Sequence, residues 1–275
     1  MARKKMSRAA AAVVTGAGSG IGRAFALELA RRGSRVVCAD INLAAAAETV
    51  KLIEKLGSTG SAFRCDVTKI EDVEELARKA EAWFKGPATL VINNAGVGAG
   101  GKPVGATSMD DWNWVLGVNL WGVIHGCHVF APKLRAAGRG GIINVGSTAS
   151  FAAAPMMGPY NVSKAAVLAL SETMAAELQG SGVHITALCP TFVKTNIVKD
   201  GRIDAGTSGF AEKVMRWTGI EADGVAKQTL DALDRNQLYV LPQLEARAIW
   251  RMKRLAPGLY ARGAGVLNRF LAAKA

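Results

Sequence analysis

The sequence lacks most of what would mark a membrane-spanning, secreted or metal-held protein. No stretch of its 275 residues approaches the roughly 18 consecutive apolar residues of a membrane-crossing helix. The basic residues 1–10 run straight into a short valine-rich segment, which argues against a cleaved secretory leader. Cysteine is scarce, and Cys38, Cys65, Cys127 and Cys189 stand too far apart for a close-spaced metal motif. Three of the four fall in strand-like runs, as small core residues do, so a reducing, cytoplasmic setting is expected. Histidine is scarcer still. His125 and His128 lie three apart, but no acid or third ligand accompanies them, so they read as packing or subunit-contact residues and no metal site is expected. His184 opens an apolar run and has no evident partner in the sequence. Internal repeats and Ser- or Pro-rich linkers are absent.

Acids are also short, 22 against 34 lysines and arginines, for a net charge of +12. The excess sits at the ends: residues 1–8 hold four basic residues, and residues 244–275 hold seven against one acid. The body is close to neutral. With no aromatic stacking motif and no basic body, a nucleic-acid binder is disfavoured. What is present is a chain of 28.8 kDa, half apolar, able to bury a large core. One domain over residues 1–275 is expected.

Short runs rich in Val, Ile and Cys at residues 11–14, 35–39, 62–65, 90–92, 142–145, 183–188 and 238–241 alternate with longer stretches of helical period. Runs apolar on both faces suit strands covered by helices on both sides. The pattern predicts a doubly wound α/β layer with a parallel sheet. The glycine-rich residues 96–105 read as a site loop, and residues 191–219, without clear patterning, as a lid.

Thr15, Gly16, Ala17, Gly18, Ser19, Gly20, Ile21 and Gly22 follow the first strand and open a helix. Glycines allow a tight turn and close approach of the backbone to a pyrophosphate, whose charge suits the helix N-terminus. Asp40 ends the second strand, near the offset at which an acid meets an adenosine ribose. A carboxylate there accepts from both ribose hydroxyls and repels a 2′-phosphate, so NAD is favoured over NADP. Asp66 closes the third strand and could accept from an adenine amino group. Asn93, Asn94, Ala95 and Gly96 end the fourth.

Tyr160 and Lys164, four apart at the start of a predicted helix, project from one face. A free phenol has a pKa of about 10, and bringing it near neutrality takes roughly 4 kcal/mol of preferential phenolate stabilisation. A nearby ammonium and an oxidised nicotinamide ring could supply it together. Ser147 follows the fifth strand, where a hydroxyl could bind a substrate oxygen. Asn119 is a polar amide between Val118 and Leu120.

These residues, in this order and spacing, resemble the short-chain dehydrogenase/reductase family in its Rossmann-type, non-extended branch, over about residues 10–241. The resemblance implies a seven-stranded sheet of order 3-2-1-4-5-6-7 and a homodimer or homotetramer. It implies Tyr160 as general acid/base, Lys164 holding the nicotinamide ribose, Ser147 orienting the substrate oxygen and Asn119 anchoring a proton-relay water. Cofactor contacts are implied for Gly16, Ser19, Gly20, Ile21, Gly22, Asp40, Asp66, Val67, Asn93, Ala95, Gly96, Tyr160, Lys164, Pro190 and Thr195. Two positions depart from the family pattern. Pro190-Thr191 replaces Pro-Gly, and Val162 replaces a small residue, which is expected to narrow the packing around its helix.

Substrate loops are expected at residues 97–107, 150–159 and 191–219. Phe151, Pro155, Met156, Met157, Phe192, Met215 and Trp217 there suit a bulky apolar secondary alcohol or ketone. The rival reading is a nucleotide-sensing binding protein of the same fold without turnover. Residues 244–275 form a basic amphipathic extension, with Ala248, Ile249, Met252 and Leu255 on one helical face. It is expected to contact an anionic membrane, a sister subunit or the body of the chain.

Overall fold

The computed structural model describes residues 5–195, 197, 201–204, 209, 213 and 215–272. The strands β1 (Ala11–Thr15), β2 (Arg35–Asp40), β3 (Gly60–Arg64) and β4 (Leu90–Asn93) are followed by a two-residue strand β5 (Ala99–Gly100). Then come β6 (Gly140–Val145), β7 (Val183–Leu188), a two-residue β8 (Arg202–Ile203) and β9 (Tyr239–Val240). The main sheet has the order β3-β2-β1-β4-β6-β7-β9, and β5 pairs with β8 alone. Every pairing is parallel. Numbered within the main sheet, this is the expected order 3-2-1-4-5-6-7.

The two-residue period of a strand explains why these runs are apolar throughout. Val14, Val36 and Ile143 point to one face and pack with Phe25 and Leu29 of α1 (Gly20–Arg31) and Leu230 of a helix spanning Ala222–Asp234. Their neighbours Val13, Val37 and Ile142 point to the other. There they meet Leu76 of α3 (Ile70–Phe84), Phe130 of α5 (Gly122–Ala136) and Val167 of α7 (Gly158–Glu177). Both faces are therefore covered, and each large side chain so buried contributes roughly 1.5–3 kcal/mol. Helix α2 (Leu43–Lys55) lies between β2 and β3, α4 (Met109–Leu116) precedes α5, and the single turn α6 (Ala149–Ala152) follows β6. In chain order, Ala222–Asp234 is α8, and α9 (Leu244–Leu255) and α10 (Pro257–Ala272) end the chain.

Three expectations are revised. Val162 is 48% exposed on α7 and narrows nothing. His184 is buried, and its Nδ1 lies 2.9 Å from the Leu233 carbonyl. The stretch 191–219 is not patternless where it is described. Val193 bridges to Ile220, β8 pairs with β5, and residues 215–218 are helical. The lid expectation otherwise falls partly on residues 196, 198–200, 205–208, 210–212 and 214, outside the described residues.

Among the described residues one helical run, Met109–Ala136, is long and apolar enough by composition to cross a bilayer. Its Val115, Val123, Cys127, Phe130 and Leu134 are buried. The last four of these pack against the sheet and α3. This is how a core helix is placed.

Candidate active site

The carboxyl ends of the parallel strands converge where the strand order reverses between β1 and β4, which is where open α/β sheets collect ligands. Glycine is required in the turn after β1. Gly16 and Gly20 have φ of +63° and +52°, and a Cβ on Gly22 would lie 2.1 Å from the Gly16 carbonyl oxygen. Helix α1 begins without a side-chain cap at Ser19 and without an acid in its first turn. Its leading N–H groups are thus not served by side chains, which suits an anion. That uncapped N-terminus, behind a turn too tight for side chains, fits a dinucleotide pyrophosphate.

The turn is held from β4. Thr15 Oγ1 accepts from the Asn94 and Ala95 backbone N–H groups at 3.0 and 3.1 Å. Asn94 Nδ2 donates to the Thr15 and Gly16 carbonyls at 2.8 and 3.2 Å. Asp40 reaches the same turn, with Oδ2 accepting from Gly18 N–H at 2.8 Å and Oδ1 from Asn42 N–H at 2.9 Å. A negative charge therefore stands beside the glycines. Asp66 Oδ1 accepts from the Thr68 backbone and hydroxyl at 3.1 and 2.7 Å, and Val67 gives its carbonyl to His125 Nδ1 at 2.9 Å. Thr195 comes over the turn from the far side, its methyl 3.0 Å from where a Gly20 Cβ would sit.

Asn93 does not join this cluster by its side chain. It is buried, and Nδ2 donates to Asn144 Oδ1 at 2.8 Å while Asn144 Nδ2 donates to the Ser171 hydroxyl at 3.1 Å. Its backbone end of β4, not its amide, borders the cleft.

Asn119 sits in a π-helical turn, Gly117–Trp121, between α4 and α5. The wider turn carries its amide to Val97, accepting from the backbone N–H at 2.7 Å and donating to the carbonyl at 2.9 Å. Gly96 is close by, since a Cβ there would lie 3.2 Å from Asn119 Oδ1 and 3.5 Å from Lys164 Nζ. Lys164 Nζ donates to the Val145 carbonyl at 2.9 Å and lies 5.8 Å from the Tyr160 ring centroid. Ser147 Oγ accepts from Ala149 N–H at 3.1 Å and makes a long bond of 3.5 Å to the Pro190 carbonyl. Pro190 also accepts from Thr148 N–H at 2.8 Å. Asn119 and Lys164 thus meet at Gly96, Lys164 lies over the Tyr160 ring, and Tyr160 is hydrogen-bonded to Ser147.

Burial sets the electrostatics of this group. Burial raises the Tyr160 phenol above its ordinary value, with a hydrogen bond to Ser147 pulling it down only in part. Burial also brings Lys164 down to about 8. The ammonium donates to a backbone carbonyl and lies over the Tyr160 ring. Cys189, beside Ser150 and near Lys164, is pushed up to about 12 by burial and stays a thiol.

Sequence reading missed Asn94, whose amide ties the glycine turn to β4, and the Asn93–Asn144–Ser171 chain beneath the cleft. The doubled asparagine was visible, but which one turns inward depends on the pleat of β4. It also missed that Thr191 is served from the carboxyl end. Gln243 Oε1 accepts from Thr191 N–H at 3.1 Å, and Glu245 Oε1 from its hydroxyl at 2.8 Å. Among the proposed substrate-loop residues, Phe151 turns away from the cleft and packs on Trp250, centroids 4.9 Å apart. Met156, Phe192 and Trp217 are exposed.

The family model for short chain dehydrogenases matches residues 10–205. The chain is 33% identical to "C alpha-dehydrogenase" of Sphingobium sp. over 86% of its own length and 81% of that protein. It is 35% identical to "Probable oxidoreductase EphD" of Mycobacterium tuberculosis over 89% of its length, but spans only 43% of that longer protein. Among solved structures, it superposes on a short chain dehydrogenase/reductase from Burkholderia phymatum in complex with NAD. That match has a TM-score of 0.86 and 34% identity, covering 92% and 96% of the two chains. A short-chain dehydrogenase from Sphingobium yanoikuyae in complex with NADPH matches with a TM-score of 0.76 and 27% identity, covering 91% and 94%. The sheet order, the glycine turn and the matched family model lead to one assignment: this chain belongs to the short-chain dehydrogenase family of oxidoreductases.

Proposed function

We propose that the protein is an NAD-dependent dehydrogenase/reductase that interconverts a secondary alcohol, bulky and apolar, with its ketone. The observation that carries this reading is the Tyr160 phenol hydrogen-bonded to Ser147 and lying under the Lys164 amine, which itself stands beside Gly96. When bound, the nicotinamide supplies the two-electron acceptor or donor. Tyr160 exchanges the proton of the substrate oxygen, and Ser147 orients that oxygen by a hydrogen bond. Lys164 would hold the nicotinamide ribose, and Asn119 would anchor a water of the proton relay. Burial holds the phenol above its ordinary pKa, and an oxidised nicotinamide would add positive charge that favours the phenolate alongside Ser147 and Lys164.

Cofactor contacts are proposed at the glycine turn (Gly16, Ser19, Gly20, Ile21, Gly22), at Asp40, Asp66 and Val67, and at the Asn93, Ala95 and Gly96 backbone. Tyr160, Lys164, Pro190 and Thr195 complete the set. The Asp40 carboxylate on the turn supports NAD over NADP, because a 2′-phosphate would meet it. The NADPH complex of a relative is the contrary precedent, so the choice rests on Asp40. Exposed Met156, Phe192 and Trp217 support an apolar substrate. A cytoplasmic homodimer or homotetramer and a single catalytic domain over residues 1–275 complete the proposal. A screen of apolar secondary alcohols with NAD, followed at the nicotinamide absorbance, tests it. Reduction of NAD by at least one of them is expected. Tight nucleotide binding without turnover on any alcohol or ketone would instead make the protein a nucleotide sensor.

A further inference from the structure

Helix α9 is held to the body by Ala246, Ile249 and Trp250, which leaves most of its apolar stripe facing outward. Ala246 is fully buried, and Ile249 and Trp250 pack with Phe151, Leu168 and Cys189. Arg254 stacks 3.8 Å from the Trp250 ring centroid and lies 3.8 Å from Glu172 of α7. At about 100° per residue, Leu244, Ala248 and Leu255 fall on the opposite side, with Met252 at its margin. Leu244 and Leu255 are 77% and 85% exposed. In α10, Tyr260 faces inward, its hydroxyl donating to the Ala152 carbonyl at 2.8 Å, while Leu259 and Val266 are exposed. Arg251 of α9 and Arg262 and Arg269 of α10 are exposed as well, and at about 100° per residue Arg251 falls on the same side of α9 as Leu244 and Leu255. Glu245, the one acid of the two helices, is engaged by Thr191.

We propose that the outward face of α9 and α10 docks on an anionic lipid bilayer. The leucines enter the boundary between headgroups and acyl chains, and the arginines meet lipid phosphates. Charge decides the occupant. A second copy in a two-fold contact would set this patch against itself, arginine against arginine, across an apolar ridge. Nucleic acid offers the cations a partner but gives Leu255 and Leu259 no apolar layer. A bilayer of negative surface charge offers both.

The test is co-sedimentation of the full chain with vesicles of phosphatidylcholine mixed with phosphatidylglycerol, against vesicles of phosphatidylcholine alone. Truncation is unsuitable, because it would uncover Phe151 and Leu168. Two outward variants replace it, Leu255→Glu with Leu259→Glu, and Arg251→Glu with Arg262→Glu. Folding is checked by circular dichroism, and size by gel filtration. The intact chain is expected to sediment with the mixed vesicles at low salt and to be released as salt rises. At about fivefold per cation lost, the arginine variant should partition at least about 25-fold more weakly. The leucine variant should lose binding with its fold unchanged. The proposal is overturned if the intact chain ignores the mixed vesicles, or if it binds both kinds alike. It is equally overturned if the variants break an oligomer without altering vesicle binding, in which case the face is a subunit contact.

Discussion

Gly22 shows how much of the site a single hydrogen atom can decide. A methyl group at that position would overlap the Gly16 carbonyl, so the turn must open. Gly22→Ala is therefore expected to weaken nucleotide binding by at least tenfold and to lower the unfolding midpoint, both measurable by titration and urea denaturation. Asp40 sets a second test. Asp40→Ala should narrow the gap between NAD and NADP affinities, chiefly by improving NADP, and a wild-type preference for NADP would refute the role given to Asp40. Lys164 makes a third. Its native pKa of about 8 lies below the ordinary 10.5, so below pH 8 the folded protein bears the cost of a buried cation. Between these values the unfolded chain binds more protons, and stability rises with pH. Full relief is worth on the order of 3 kcal/mol, less about 1 kcal/mol for the bond to Val145 lost in a neutral variant. Lys164→Met should thus be the more stable protein near pH 7 in urea denaturation. Its advantage should shrink as pH climbs from 8 toward 10.5. At this scale the sequence was legible where spacing alone fixes neighbours, as for Tyr160 and Lys164 on one helical face. It was silent where burial decides, as in the raised phenol of Tyr160.

Elements were legible in proportion to their periodicity. The apolar runs of β1, β2, β4, β6 and β7 are long enough, and their sheet order follows from right-handed crossovers. The two-residue strands β5 and β8 leave no such trace, because their pairing depends on a contact between the loop after β4 and the segment after β7. Arg202 fastens the same contact, reaching Asp111 at 2.9 Å and lying 4.4 Å from the Trp114 ring centroid. The sequence pattern left open what helix α9 touches, and the fold settles which side meets the body: Ala246, Ile249 and Trp250 turn inward while Leu255 stays exposed. Trp250→Ala should cost about 2–4 kcal/mol in urea denaturation, because it unpacks Phe151 and frees Arg254. Nucleotide affinity should stay close to wild type, for α9 touches the loop after β7 and α6 but not the glycine turn.

For the whole molecule, charge and chemistry occupy different regions. The glycine turn, Asp40 and the cleft with Ser147, Tyr160 and Lys164 all stand at one end of the parallel strands, as the topology of a doubly wound sheet requires. At the described carboxyl end Arg251, Arg262 and Arg269 are exposed, while Arg254 is held against Trp250 and Glu172 of the body. The composition revealed this division of charge, but the inward clasp of those helices on α6 and α7 needed the fold to be seen. The central claim, that Tyr160 moves the proton in a dehydrogenase reaction, is tested most directly by turnover of Tyr160→Phe. The variant loses only the phenolic hydroxyl. With an alcohol that the wild type oxidises, its rate should fall by about 10²- to 10⁴-fold while its NAD dissociation constant changes little. Turnover near the wild-type rate, at unchanged NAD affinity, would contradict the account.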